Sequence, residues 1–333
     1  MITGTAGFIG FHLSKTLLDM GYSVLGIDNY ESYYDVSLKR DRTNILKQNN
    51  LFQEVEASIL DQSTMETIFQ KFTPEVVIHL AGQAGVRYSL ENPRAYLNAN
   101  INGTFELLDL CKKYKPKHLM LASSSSVYGE CTEVPFKENQ KTDCQVSFYA
   151  STKKVIEVMA HSYSHLYSIP VTCFRFFTVY GPWGRPDMAP LKFMHAIMQG
   201  KSIDVYNNGD MLRDFTYIDD LVKAIKLLIP IPPVQVGTNL SESQSNYSTV
   251  APFRVVNIGN SKPVKLMDFI NVLESVTSRK ADLQLKEMQA GDVKSTFSDT
   301  RLLHQLTGFA PQVSLQEGAQ ALFAWYSKYY NEN

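Results

Sequence analysis

Cysteine is scarce in this chain of 333 residues. The four present, Cys111, Cys131, Cys144 and Cys173, lack the paired spacings of a zinc site or a disulfide framework. Reduced thiols in a cytosol-like compartment follow, so a cytoplasmic protein is expected. An excess of charge is missing too. Lys+Arg 32 against Asp+Glu 33 gives a net charge of -1, so no global basic field attracts nucleic acid. An anionic small ligand would need local arginines instead. No run of ~18 apolar residues occurs, which excludes an encoded transmembrane helix and leaves no membrane contact to expect. No signal peptide precedes the first motif, and there is no internal repeat. Metal-ligand spacing is absent as well. His161 and His165 share a helix face, but Ser162 stands where a metalloprotease would carry glutamate, and no third ligand is evident. They read as surface or subunit-contact histidines, and no metal is expected.

What the chain does have is a 44% hydrophobic share, enough for a full core in one large unit or two lobes. It opens "MITGTAGFIGFHLSKTLLDMGYSVLGIDNY". Gly4, Gly7 and Gly10 lie between a short apolar start and an amphipathic run, and a second strand then closes on Asp28. Glycines at a strand-to-helix turn let backbone approach a pyrophosphate, which rests on the positive end of the helix. An acidic residue about 20 positions on can take both hydroxyls of an adenosine ribose. Asp28 would repel a 2′-phosphate, which favours NAD over NADP. The first strand has only two or three residues before Gly4, against a mean of about 5–6. A natural chain starting upstream of Met1 is the expectation.

Strand and helix patterns keep alternating. "LFQEVEAS", "EVVIHLA", "KHLMLAS" and "VTCFRFF" read as strands, and Thr64–Phe72, Arg94–Lys113 and Ser147–Tyr167 as helices. That alternation argues an α/β fold with a Rossmann-like, doubly wound parallel sheet, followed by a smaller C-terminal lobe. Ligands of such sheets sit beyond the carboxyl ends of the strands, which gathers the loops after Asp28, Leu80 and Ala122. The last is the serine run Ser123–Ser126. Residues "IPIPPVQVGTNLSESQSNYSTVAP" read as a polar surface loop, and the Met and aromatic residues of "FMHAIMQ" as core.

In "FYASTKK", Tyr149 and Lys153 stand at i and i+4 on one helix face. An ammonium and a positive nicotinamide ring nearby would favour the phenolate and make Tyr149 a usable base.

These features together resemble the extended short-chain dehydrogenase/reductase family over nearly the whole chain. "GQAGVRYSLENP", "SSSSVYG", "RFFTVYGPWGRPDMA", "KSIDVYNNG" and "RDFTYIDD" are, more narrowly, similar to UDP-glucuronate 4-epimerases. The resemblance implies a catalytic trio of Ser124, Tyr149 and Lys153. It places NAD against Gly4, Gly7, Phe8, Ile9, Gly10, Asp28 and Asn29, with Ile59 beside the adenine and Leu80, Ala81, Gly82 and Gln83 along the nicotinamide half. It gives Arg213 and Asp292 the diphosphate and uridine ribose of a UDP-sugar. The substrate carboxylate would fall to Ser125, Ser126, Thr178 and Arg185, with Arg87 a further cation that is as well explained by pairing with Glu91. Residues 1–176, with later contributions near 214–229 and 253–259, would form the NAD-binding unit and 177–333 mainly the UDP-sugar lobe. A homodimer through the helices near 94–113 and 147–167 is implied too.

Ser58, where the family often has aspartate, Gly82, where alanine is usual, and Ala290, where proline is common, depart from its pattern. Relatives that dehydrate carry Asp-Glu at the positions of Ser125 and Ser126, and decarboxylating relatives carry glutamate at Ser126. Hydroxyls are poor acids or bases at neutral pH, so this loop reads as an epimerase loop. The alternatives are epimerisation of neutral UDP-hexoses or UDP-N-acetylhexosamines, decarboxylation of UDP-glucuronate, or a silent NAD-binding interaction protein.

Overall fold

The protein is described by a computed structural model for residues 1–236 and 248–331. The stretch 237–247 of the expected polar loop lies outside the described residues.

In the first half, β1 (Ile2–Thr3), β2 (Val24–Asp28), β3 (Phe52–Glu56), β4 (Val76–His79), β5 (His118–Ser124) and β6 (Val171–Phe176) alternate with α1 (Phe8–Asp19), α2 (Val36–Leu46), α3 (Gln62–Phe72), α4 (Tyr88–Glu91), α5 (Pro93–Tyr96), α6 (Gly103–Tyr114) and α7 (Phe148–Tyr167). Then follow β7 (Thr178–Tyr180), α8 (Ala189–Gln199), β8 (Ser202–Tyr206), β9 (Leu212–Tyr217), α9 (Ile218–Leu228), β10 (Phe253–Ile258), β11 (Pro263–Lys265), α10 (Leu266–Thr277), β12 (Asp282–Lys286), α11 (Arg301–Thr307) and α12 (Leu315–Asn331).

Seven strands make one parallel sheet in the order β10-β6-β5-β4-β1-β2-β3. The order reverses direction at β1, where the chain runs outward first through β2 and β3 and then back through β4. Crevices form at such a switch. The sheet's last strand comes from far along the chain, since β10 pairs with β6 in parallel register, and α9 packs on α1. The smaller lobe holds a three-stranded sheet, β11-β9-β7, and the pair β12-β8.

Local chemistry accounts for the elements. Central strands read as continuous apolar runs because both faces are covered, and β5, β6 and β10 are buried almost throughout. Ser147 caps α7 by accepting from the Ala150 amide at 3.1 Å, and Asp61 caps α3 from Thr64. The helix anticipated from Arg94 to Lys113 runs from Pro93 to Tyr114, but Leu97–Asn102 is a π-helical segment. Such bulges carry no hydrophobic-period signal, so the sequence pattern could not reveal it.

Candidate active site

The turn between β1 and α1 is built for close backbone approach. A Cβ on Gly10 would collide with the Gly4 carbonyl, and one on Gly7 would stand 3.0 Å from the same oxygen. Gly4 itself has φ +77, and its Cβ would lie 2.7 Å from the Ala81 amide of the neighbouring loop. Gly7 is the N-cap of α1 without any side-chain cap, and the first turn holds no acid. The Phe8, Ile9 and Gly10 amides therefore point their unpaired N–H groups outward beside the helix's positive end. An uncapped, acid-free helix start with glycines that a methyl group would block fits a dinucleotide pyrophosphate.

Asp28 closes β2 beside this turn, accepting from the Ala6 and Tyr30 amides at 2.9 Å each. Burial pushes its carboxyl above the usual range. Asn29 is exposed and accepts from the Glu31 amide. Ile59 is buried against Gly103. Leu80, Ala81, Gly82 and Gln83 form the loop after β4, as the sequence arranged them. A Cβ on Gly82 would stand 2.7 Å from Asn100 Oδ1, and the residue has φ +155, so glycine suits this position.

The trio meets at the end of β5. Ser124 ends that strand, and its Oγ accepts from the Ser126 amide at 3.2 Å as Ser125–Tyr128 turns into a short 3-10 helix. Tyr149 and Lys153 project from one face of α7, both buried. The Lys153 ammonium donates to the Ala122 carbonyl at 2.9 Å, and burial pushes its pKa down to about 8. Tyr149 departs from expectation. Burial pushes its phenol up, and the opposing pulls come from its hydrogen bond with Ser124 and from the Arg185 charge, not from Lys153. A positive ring bound beside the phenol would have to supply the rest.

The four serines divide their work. Ser123 turns away and donates to Glu157 at 2.6 Å inside the protein. Arg175 from β6 grips the same carboxylate through Nε at 2.9 Å and Nη2 at 2.8 Å. Arg175 also donates to the Glu138 carbonyl, while the Glu138 carboxyl accepts from the Asn257 amide at 2.9 Å. Burial pushes Glu138 up to about 7. Ser124, Ser125 and Ser126 remain for the crevice.

Around the rim, Arg213 and Asp292 are brought together, Nη2 to Oδ1 at 3.2 Å. Thr178 opens β7, half-buried. Arg87 forms no ion pair with Glu91 among the described residues; its guanidinium lies over the Tyr206 ring at 4.2 Å. Arg185 is more committed than its sequence suggests. Nε donates to Asp187 Oδ1 at 3.0 Å, and Nη2 donates to Asp187 Oδ2 at 2.7 Å and to the Ala84 carbonyl at 3.2 Å. Among the described residues, Nη1 has no acceptor.

His161 and His165 are held within the chain, by Ser248 Oγ at 2.9 Å and the Val250 carbonyl at 2.6 Å. The cysteines are all free, and the described residues contain no metal-binding group of His, Cys, Asp and Glu. Phe193, Met194 and Ile197 of "FMHAIMQ" lie in the core. None of the described helices is long and apolar enough to cross a membrane.

Two functional positions went unread. Asn100, in the π-helical segment, accepts from the Gln83 amide at 2.8 Å and donates to the Gln83 carbonyl and Thr152. It ties the loop after β4 to α7. Glu157 stands one further i+4 step beyond Tyr149 and Lys153, a spacing visible in the sequence.

A glycine turn on a helix start, an acid closing β2, and a Ser–Tyr–Lys constellation at the switch point define a dehydrogenase-type nucleotide-sugar enzyme of the extended short-chain class. Residues 1–322 match the family described as GDP-mannose 4,6 dehydratase, and the chain belongs to that family. It is 51% identical over 331 residues to a probable UDP-glucuronate 4-epimerase of Rhizobium meliloti, covering 99% of this chain and 97% of the relative. It is 43% identical over 336 residues to UDP-glucuronate 4-epimerase 4 of Arabidopsis thaliana, covering 99% and 76%. Among solved structures it resembles the Bacillus cereus UDP-glucuronic acid 4-epimerase in complex with UDP-glucuronic acid and NAD, with a TM-score of 0.87, 31% identity and 98% of each chain covered.

Proposed function

We infer that this protein is an NAD-dependent epimerase that inverts C4 of UDP-glucuronate, giving UDP-galacturonate through a 4-keto sugar. The observation that carries the reading is the turn after β5. It offers Ser124 to Tyr149 and then two further hydroxyls, with no acid in either place. The likeness to proteins named for this reaction supports it.

NAD, when bound, supplies a hydride acceptor and a positive ring beside the phenol. Tyr149 takes the proton of the C4 hydroxyl and later returns it, while Ser124 donates to the oxygen on which charge develops. Lys153 fixes the end of β5 through Ala122 and contributes a positive charge below a pKa of about 8. The keto sugar turns over about its diphosphate, which Arg213 and Asp292 hold with the uridine ribose, Arg87 adding charge at the rim. Oxidised at C4, a uronic acid is a β-keto acid inclined to lose carbon dioxide. Ser125, Ser126, Thr178 and the free Nη1 of Arg185 hold its carboxylate away from the orientation that loss requires. Phe105 on α6 and Val158 and Leu166 on α7 are large exposed apolar side chains, which supports a homodimer through these helices.

The test is a panel of UDP-sugars in heavy water, with products resolved by chromatography. UDP-glucuronate should become UDP-galacturonate with no deuterium at C5 and no UDP-pentose. A major UDP-xylose product, deuterium at C5, or turnover confined to neutral UDP-sugars would overturn the assignment.

A further inference from the structure

The loop from Gly181 to Arg185 hangs from the first two helices of the dinucleotide unit. Arg42, on α2, is 0% exposed. Its guanidinium has no carboxylate within ion-pair distance among the described residues; Nη1 and Nη2 donate to oxygens of three separate segments, while the buried Nε has no hydrogen-bond partner among the described residues. Nη1 donates to the Ala6 carbonyl and the Tyr34 hydroxyl, each at 2.8 Å. Nη2 donates to the Trp183 carbonyl at 2.6 Å and the Gly184 carbonyl at 3.1 Å. The next residue along is Arg185. On α1, His12 Nε2 donates to the Pro182 carbonyl at 2.9 Å. Burial pushes the His12 pKa down to about 4, so at neutral pH the ring is uncharged and acts as a plain donor.

The loop is not relaxed. Trp183 holds a φ of +60, left-handed backbone that a bulky residue keeps only when its surroundings impose it. Its ring is wedged against Trp325 at 5.3 Å, Tyr329 at 5.0 Å and Phe11 at 5.6 Å. A buried guanidinium with no ion pair at contact distance carries a desolvation cost, and the Asp28 carboxylate acts on Arg42 only through its longer-range charge, so stability alone does not explain Arg42. Its planar fork does, because it gathers carbonyls from the Gly181–Arg185 loop and from the dinucleotide turn in one plane, which an ammonium could not.

We propose that Arg42 and His12 are positioning residues for Arg185, suspending its loop so that the guanidinium edge left free by Asp187 and Ala84 faces the substrate carboxylate. The proposal rests on the reading of Arg185 as a carboxylate holder. It makes discrimination between charged and neutral sugars depend on two residues that touch neither sugar nor nucleotide.

The experiment is calorimetric titration of the NAD-loaded protein with UDP-glucuronate and with UDP-glucose, for wild type, Arg42→Lys, His12→Phe and Arg185→Leu. Both positioning variants should lose about 10-fold or more in affinity for UDP-glucuronate, the worth of a hydrogen bond to a charged group. UDP-glucose affinity should stay close to wild type. Equal losses for both ligands would make the two residues structural and overturn the proposal. So would unchanged discrimination in both variants while Arg185→Leu destroys it. Unchanged discrimination in Arg185→Leu itself would instead sink the carboxylate reading, and this proposal with it. Should Arg42→Lys not fold, His12→Phe decides alone; a phenyl ring suits a site that edges onto Phe8 and Phe11.

Discussion

Replacing Glu138 by glutamine should reshape how stability depends on pH. The carboxyl lies beneath the serine turn, its oxygen on the Asn257 amide and its own backbone carbonyl on Arg175. Burial pushes its pKa from 4.5 to about 7 in the folded protein. A raised carboxyl pKa means that the native state binds the proton more tightly than the unfolded chain between those two values. Stability therefore falls as pH climbs through that window and levels off above it. The 2.5-unit span is worth about 3 kcal/mol at about 1.4 kcal/mol per pKa unit. Unfolding entropy of ~2.1 cal/mol/K per residue, over the whole chain, converts that to roughly 4–5 °C in Tm. Glutamine keeps an oxygen for the Asn257 amide but has no proton to lose. The Tm of Glu138→Gln minus that of wild type, followed by differential scanning fluorimetry from pH 4.5 to 7.5, should rise by about that amount. A difference that stays flat across the window would show that Glu138 titrates normally and that its surroundings are wetter than its burial implies.

Tyr149→Phe should retain NAD yet lower turnover ~10²–10⁴-fold, since a proton-transfer group is lost while the ring and its burial remain; near-normal rates would reject its role. Ser126→Glu should divert part of the flux from UDP-glucuronate to UDP-pentose by supplying an acid beside the keto sugar, and a product profile identical to wild type would show that the acid's position, rather than its absence, sets the outcome. On the proposed homodimer through α6 and α7, Val158→Glu should give monomers in light scattering, because it sets a charge among the exposed apolar side chains Phe105, Val158 and Leu166; an unchanged dimer mass would place the subunit contact elsewhere.

The parts of this molecule that were legible in the sequence are those whose signal is local. Gly7 and Gly10 answer to the Gly4 carbonyl within one turn, and strand alternation answers to burial of neighbouring residues. Tyr149 and Lys153 are readable because a helix fixes what i and i+4 share. What escaped depends on partners far away along the chain. Arg42 meets the Trp183 carbonyl across 141 positions, and nothing near Arg42 announces it. The commitment of Arg185 to Asp187 and to the Ala84 carbonyl was not legible either, since the Ala84 contact spans 101 positions. The Tyr149 phenol was expected to favour its anion beside an ammonium and a positive nicotinamide ring; the protein's own groups leave it raised, because burial, a property of the whole surround, outweighs the pulls of Ser124 and Arg185.

The division of labour among the serines bears on how such a crevice changes chemistry. Because Ser123 is tied to Glu157 and Arg175, the end of β5 is anchored before the 3-10 turn begins. Side chains at 125 and 126 stand on a short stalk whose base does not depend on them. Exchange at 126 removes the hydroxyl that accepts from Ser124 Oγ at 3.2 Å, while the Ser126 amide that donates to the same oxygen stays in place. Ser123 enjoys no such freedom: a larger side chain there would meet a filled, charged interior.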